Sequence, residues 1–247
     1  MARTRRRQRS AEALETKARP TQARSRQTFE AILNAAGNVL AQESLRAFSI
    51  NAVCESAGLT PPAVYRYFPN KYALLKAVGE RLMEAEDEVA LGIMATRAIP
   101  RSEDEMIAEV RERIGRVIAV TTAFPGSVAI VRALRTSVVM RQVRHASTAK
   151  VTARWLERLR EIFPTADPVR LRRGAWLGLE VTTQLMELIV EGEFRTTGDS
   201  DQVMIAEAAG MIGRYYWQLG SSEFDLHEVA RSARRARPAS QPTATED

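Results

Sequence analysis

The chain is poor in the residues that usually carry catalysis. It has one cysteine, two histidines and 6% aromatic residues. A single thiol, Cys54, excludes an internal disulfide and a thiolate metal cluster, and it fits a reducing compartment. His145 and His227 stand in no spacing that suggests metal ligation or a triad. There is no glycine-rich phosphate loop, and Glu84, Glu86, Asp87 and Glu88 read as a solvated helix face. The sequence therefore predicts a non-enzymatic protein with no metal and no cofactor. Long apolar runs are missing too: nothing approaches the roughly 18 residues of a membrane span. The basic N-terminus lacks the apolar segment of a secretory signal. The expectation is a cytoplasmic protein with no membrane association.

What is present is charge in one place. Residues 1–26 hold nine arginines and lysines against Glu12 and Glu15, while the other 221 residues sum to −1. A clustered basic arm suits a polyanion, either nucleic acid or an anionic membrane surface, or else is a solvated tail.

Strand patterns are scarce and helical spacing recurs. Phe29, Ile32, Leu33, Ala36 and Leu40 form the stripe of an amphipathic helix over 24–43. Gly37 inside it should cost about 1 kcal/mol relative to alanine, with no compensation visible in the sequence. Ser49 caps a short helix stopping at Gly58. Asn70 caps a longer one through Leu82. Further helices are expected at about 102–122, 127–139, 143–163, 168–192 and 200–219, and the composition from 221 predicts a disordered tail. The fold class is all-α: a disordered basic arm (1–23), a helix-turn-helix unit (24–70), a larger helical region (71–220) and a tail (221–247).

Residues 58–71 read GLTPPAVYRYFPNK. Proline is tolerated in a helix's first turn because its missing N–H would have no intrahelical partner. Pro61 and Pro62 therefore open a helix, expected over 61–68, with the Thr60 hydroxyl as its cap. Val64 and Phe68 face inward; Ala63, Tyr65 and Arg66 face outward. A short capped helix, a glycine turn and a second helix offering its N-terminal end describe a helix-turn-helix, whose second helix enters the DNA major groove.

These residues resemble the TetR family of bacterial transcriptional regulators. The resemblance rests on Ala57-Gly58-Leu59-Thr60, Tyr65-Arg66-Tyr67-Phe68, Pro69-Asn70-Lys71 and Leu74-Leu75, and covers about 24–82. It implies that Ser49, Thr60, Tyr67 and Lys71 meet phosphate and that Tyr65 touches backbone or base edges. Arg24 and Arg26 would carry the arm toward the minor groove. Pro61, Pro62 and Ala63 stand where the family often shows Lys, Gly and Thr. Lacking side-chain donors, they can offer only apolar contact with thymine methyls. Specificity would then rest on Arg66, Tyr65, Asn51 and DNA shape.

For the rear region the resemblance implies a homodimer on a palindromic operator and a small-molecule effector. Two faces of 168–192 and of 200–219 are apolar, which fits either one thick core or a two-subunit helical bundle. The dimer candidates are Leu185, Leu188, Ile189, Met204, Ala208, Met211, Ile212 and Tyr215, with Gly210 and Gly213 allowing close approach. Candidates for the effector pocket are Phe124, Met140, Trp155, Leu159, Trp176, Thr183, Gln184 and Glu187; the scarcity of charge on those faces suggests a lipophilic effector. The function expected is a DNA-binding repressor of this kind. The alternative is a sequence-independent nucleoid or anionic-surface binding protein that uses the arm alone.

Overall fold

A computed structural model of the chain describes residues 22–43, 45–192 and 200–220, with Thr16 and Gly198. Most of the basic arm and the tail from 221, both expected to be disordered, lie outside the described residues. Within them the elements are α1 Ala23–Gln42, α2 Ile50–Ala57, α3 Pro61–Tyr65, α4 Lys71–Thr96, α5 Glu103–Ala123, α6 Ser127–Thr136, α7 Val138–Ile162, α8 Pro168–Glu191 and α9 Asp201–Gln218, with no strand. Among the described residues no single helix is long and apolar enough to cross a membrane.

The front unit forms where local signals agree. Ser49 Oγ accepts from the Ala52 N–H at 3.2 Å, which starts α2. Gly58 ends it in the left-handed region, φ 63°. There the Gly58 N–H reaches Glu55 O at 3.3 Å and the Leu59 N–H reaches Cys54 O at 3.0 Å, the paired bonds of a Schellman stop. Ile32, Val53, Val64 and Phe68, each 0% exposed, lock the three helices together. Phe29 stacks on Phe68 at 5.2 Å between ring centroids.

Two local expectations need correction. Thr60 makes no side-chain capping bond. The twin prolines remove the first two amides of α3, and the next two, of Ala63 and Val64, go to the Thr60 carbonyl at 3.0 and 3.4 Å. And α3 is shorter than 61–68. Pro69 pushes Phe68 out of the helical region, so the helix tightens after Tyr65, with the Tyr67 and Phe68 amides both meeting Val64 O at 3.0 Å.

Behind it, α4 is continuous for 26 residues and joins the front unit to the rear helices. The α5 and α9 pair packs most extensively, followed by α4 with α7. Arg158 binds the core from inside: its guanidinium donates to Glu109 Oε1 and Oε2 at 2.7 and 2.8 Å. It also donates to Met94 O at 3.1 Å and Ala98 O at 2.8 Å, which satisfies carbonyls at the C-terminal end of α4. The break expected near 140–142 falls at Ser137, which is extended, in a run of β-branched and hydroxyl residues with low helix preference.

Gly37 gains its explanation here. A Cβ at that position would stand 2.9 Å from the Pro125 carbonyl oxygen, so α1 and the α5–α6 loop touch backbone to backbone. Gly213 makes its close approach within the chain, against Ile107 of α5, and not across a subunit contact.

Candidate nucleic-acid interface and inner cleft

The outer face of the front unit gathers most of the candidates. Pro61, Pro62, Thr60, Arg66 and Asn51 are exposed, Ala63 is half-buried, and Tyr65 is 44% exposed. Val64 between them is fully buried, so the side chains that face outward stand on a rigid base. Arg24 and Arg26 are exposed and lie within the first turn of α1. With no acidic residue in that turn, two cations meet the positive helix end, an arrangement that an external anion relieves. Lys71 Nζ donates to Phe48 O at 3.3 Å, tying α4 to the α1–α2 connection.

Tyr67 differs from the outward phosphate contact expected of it. Its ring is only 4% exposed and packs edge-on against Phe29 at 5.8 Å. It belongs to the core, with the Arg66 guanidinium 5.9 Å from its centre. Ser49 Oγ is engaged by its own helix. Two further exposed groups in the front segment were not singled out by sequence: Arg46, and Tyr72 at 56% exposure in the first turn of α4. Asn70 Oδ1 accepts the Tyr72 and Ala73 amides at 3.0 Å, and this cap fixes where Tyr72 points. The pattern N-K-Y after a proline was the available signal.

Cys54 and His145 bear on the catalytic possibility. Cys54 is buried, and burial raises its thiol pKa; His145 is exposed.

A partly open cleft lies in the rear region among α4–α8. Of the residues expected to line a pocket, Thr183 and Glu187 do so. The others go elsewhere. Trp155 and Leu159 are 0% exposed core, Trp155 packing edge-on against Tyr216 at 4.9 Å. Met140 is buried against Gly79 of α4. Phe124 sits at the joint of the two units, 5.8 Å below the Arg81 guanidinium, and Arg81 in turn bonds Asn34 Oδ1 at 2.7 Å. Gln184 is exposed and donates to Glu187 Oε2 at 2.9 Å. Trp176 is 56% exposed, in a shallow outer groove beside His145 and Glu180.

The cleft walls combine apolar side chains with charge. Asp87, 5% exposed, and the half-buried Glu86 face it, so the solvated face expected of 84–88 is corrected at these two positions. Their partners are distant in sequence. Thr121 Oγ1 is 2.6 Å from Glu86 Oε1; Ser147 Oγ and Lys150 Nζ donate to Asp87 at 2.6 and 3.2 Å. Burial pushes the Glu86 pKa up to about 7, against the Thr121 hydrogen bond and with the charges of Asp87 and Glu187 adding to the rise. Burial also raises Glu187, which Arg144, 3.3 Å away, partly offsets.

On α8 and α9 the dimer candidates divide. Ile189, Ala208 and Ile212 are buried within the chain, which corrects their assignment to a subunit contact. Met211 is 58% exposed, and Leu185, Leu188, Met204 and Tyr215 are half-buried. Val169, Trp176, Leu177 and Val181 of α8 and Val203 of α9 are also exposed, between 37% and 56%, residues that periodicity alone did not separate from core.

Comparison with known proteins agrees with this geometry. Residues 32–78 match the model of bacterial regulatory proteins, tetR family, so the front helices are the helix-turn-helix DNA-binding domain of that family. Over most of its length the chain shares its fold with a tetR-family transcriptional regulator from Streptomyces coelicolor (20% identity, 83% of this chain and 89% of that one, TM-score 0.57). A TetR variant from Acinetobacter baumannii AYE in complex with minocycline is similar (15%, 78% and 98%, 0.52). So is AibR in complex with isovaleryl coenzyme A and operator DNA (20%, 76% and 97%, 0.51). No curated protein matches the chain.

Proposed function

We propose that the protein is a dimeric transcriptional repressor, released from a palindromic operator by a small molecule held in the rear cleft. The observation that carries the reading is the N-terminal end of α3, where a proline-opened turn with Tyr65 and Arg66 stands on a fully buried Val64. Residues 24–70 form the reading unit in this proposal, and 71–220 the effector and dimer unit.

The exposed stripe of α8 and α9 supports pairing with a second copy, since so large an apolar surface is otherwise unfavourable in water. Two-fold pairing would present two α3 helices about 34–36 Å apart, one turn of duplex. The effector is a largely apolar molecule, in keeping with Ile114, Val117 and Leu179 on the cleft wall. It acts by favouring the state that binds DNA less well. Two connections link the sites: α4 carries Lys71 at one end and Glu86 in the cleft, and Gly37 touches the loop that follows Thr121 on α5.

Footprinting of bound genomic sites, then gel shifts with the recovered palindrome and a scrambled duplex, tests this. The palindrome should bind at least tenfold more tightly, and Tyr65→Ala and Arg66→Ala should each reduce that preference with the helical spectrum unchanged. Equal binding to both duplexes would favour the arm-only, sequence-independent reading and remove the repressor.

A further inference from the structure

The cleft holds a charge to which no described residue offers a hydrogen-bonded counter-ion. Arg113 of α5 faces it, 2% exposed, and its Nη1 and Nη2 have no hydrogen-bond partner. The other charged residues on the wall are engaged: Glu86 with Thr121, Asp87 with Lys150 and Ser147, and Glu187 with Arg144. The acid one turn away from Arg113, Glu109, has both oxygens taken by Arg158. The Trp155 ring, 4.2 Å from the guanidinium carbon, gives Arg113 a cation–π contact but no acceptor oxygen.

An arginine does not lose its proton in a protein, so this is a permanent cation in a poorly solvated place. Such a group is costly unless something pairs with it. Building on the effector reading above, we infer that the cleft binds an amphipathic monoanion, a carboxylate whose two oxygens take the Arg113 Nη1–H and Nη2–H fork while its apolar tail lies along Ile114, Val117 and Leu179. Guanidinium geometry matches a carboxylate in this bidentate way. A dianionic phosphate is disfavoured, because Asp87 and Glu187 line the same space and Arg113 is the one cation on the wall without an anionic partner. A cationic ligand would leave Arg113 uncompensated.

The test uses the full-length purified protein and three matched ligand series, C4 to C12 alkanoates, alkanols and alkylammonium ions, followed by titration calorimetry below micellar concentrations. The best alkanoate should bind at least tenfold more tightly than the alkanol of equal length. Arg113→Met should erase that preference while alkanol affinity stays within about twofold, and Arg113→Lys should retain part of it. The apo melting temperature of Arg113→Met should equal or exceed that of the parent, since an unpaired buried charge is removed. Alkanols binding as well as alkanoates, a preference for alkylammonium, or a carboxylate preference surviving in Arg113→Met would each overturn the inference and leave the effector cleft standing. If no series binds, the cleft reading falls with it. Should Arg113→Met not fold, the comparison on the parent protein and Arg113→Lys decides alone.

Discussion

Alanine at position 37 sets two opposing effects against each other at one atom. In the interior of α1, alanine gains about 1 kcal/mol over glycine in helix preference. Its Cβ, however, would stand 2.9 Å from the Pro125 carbonyl oxygen and 3.3 Å from Pro125 Cβ. The oxygen is backbone, and it cannot swing away as a flexible side chain would. The loop is held from the other side as well: Gly126 has φ 75°, and a Cβ there would meet Gly37 O at 2.5 Å. Forcing extra volume into such a contact costs about 1–3 kcal/mol. Gly37→Ala should therefore be neutral to about 2 kcal/mol destabilising. Gly92→Ala is the control: it sits in α4, exposed, with no atom within 4 Å of the added carbon. It should gain the full helical increment, about 1 kcal/mol, or about 2–4 °C in melting temperature for a chain of this size. Urea unfolding followed by circular dichroism, at one protein concentration so that pairing does not enter, gives both values. The two variants should differ by at least about 1 kcal/mol. Equal stabilisation by both would refute the backbone contact between α1 and the α5–α6 loop, and with it one of the two proposed routes from cleft to reading helix.

Three further outcomes follow from the same geometry. Glu86 has a folded pKa of about 7 against an ordinary 4.5, so the folded state binds more protons than the unfolded state between those values. Its contribution makes stability fall as pH rises through that window, and Glu86→Gln should flatten the slope and stabilise at pH 8 by about 1–3 kcal/mol; an unchanged profile would count against the buried position. Met211→Asp places a charge on the exposed stripe of α8 and α9 and should convert a dimer to a monomer in sedimentation velocity, with helicity retained; a persistent dimer would move the subunit contact elsewhere. Deleting residues 1–22 should weaken DNA binding and flatten its salt dependence by about 0.9 log unit for each phosphate that the arm had neutralised, whereas an identical salt slope would leave the arm without a role on DNA.

The front unit is legible in the sequence because its signals are local. A serine cap, a left-handed glycine, a proline-opened turn and an asparagine cap each act within about four residues, and the order of these elements matches a known family. Even there, one rule fails for a countable reason. Thr60 has the residue type of a cap, yet Pro62 removes one of the two amides its hydroxyl would accept from, and its own carbonyl takes the other, that of Ala63. Tyr67 fails differently. Its place in the motif suggests phosphate, but the α3 turn tightens ahead of Pro69 and rotates the ring onto Phe29.

The rear region is legible as helices but not as a site, because periodicity separates apolar from polar without saying which element covers which face. Trp155 and Trp176 look alike in sequence; one is fully buried and the other 56% exposed. The charged cleft residues are harder still. Glu86 and Asp87 read as solvated because their partners, Thr121, Ser147 and Lys150, lie 35 to 63 residues away. Arg113 is the sharpest case. A carboxylate four residues earlier on the same helix, Glu109, is the neighbour that helix-local rules would pair with it. The fold gives both Glu109 oxygens to Arg158, whose guanidinium also closes the C-terminal end of α4, and this diversion leaves the Arg113 Nη atoms buried at the cleft wall without an acceptor. A local rule is thus overridden by a long-range contact, and the residue left unsatisfied is the one whose chemistry selects a ligand.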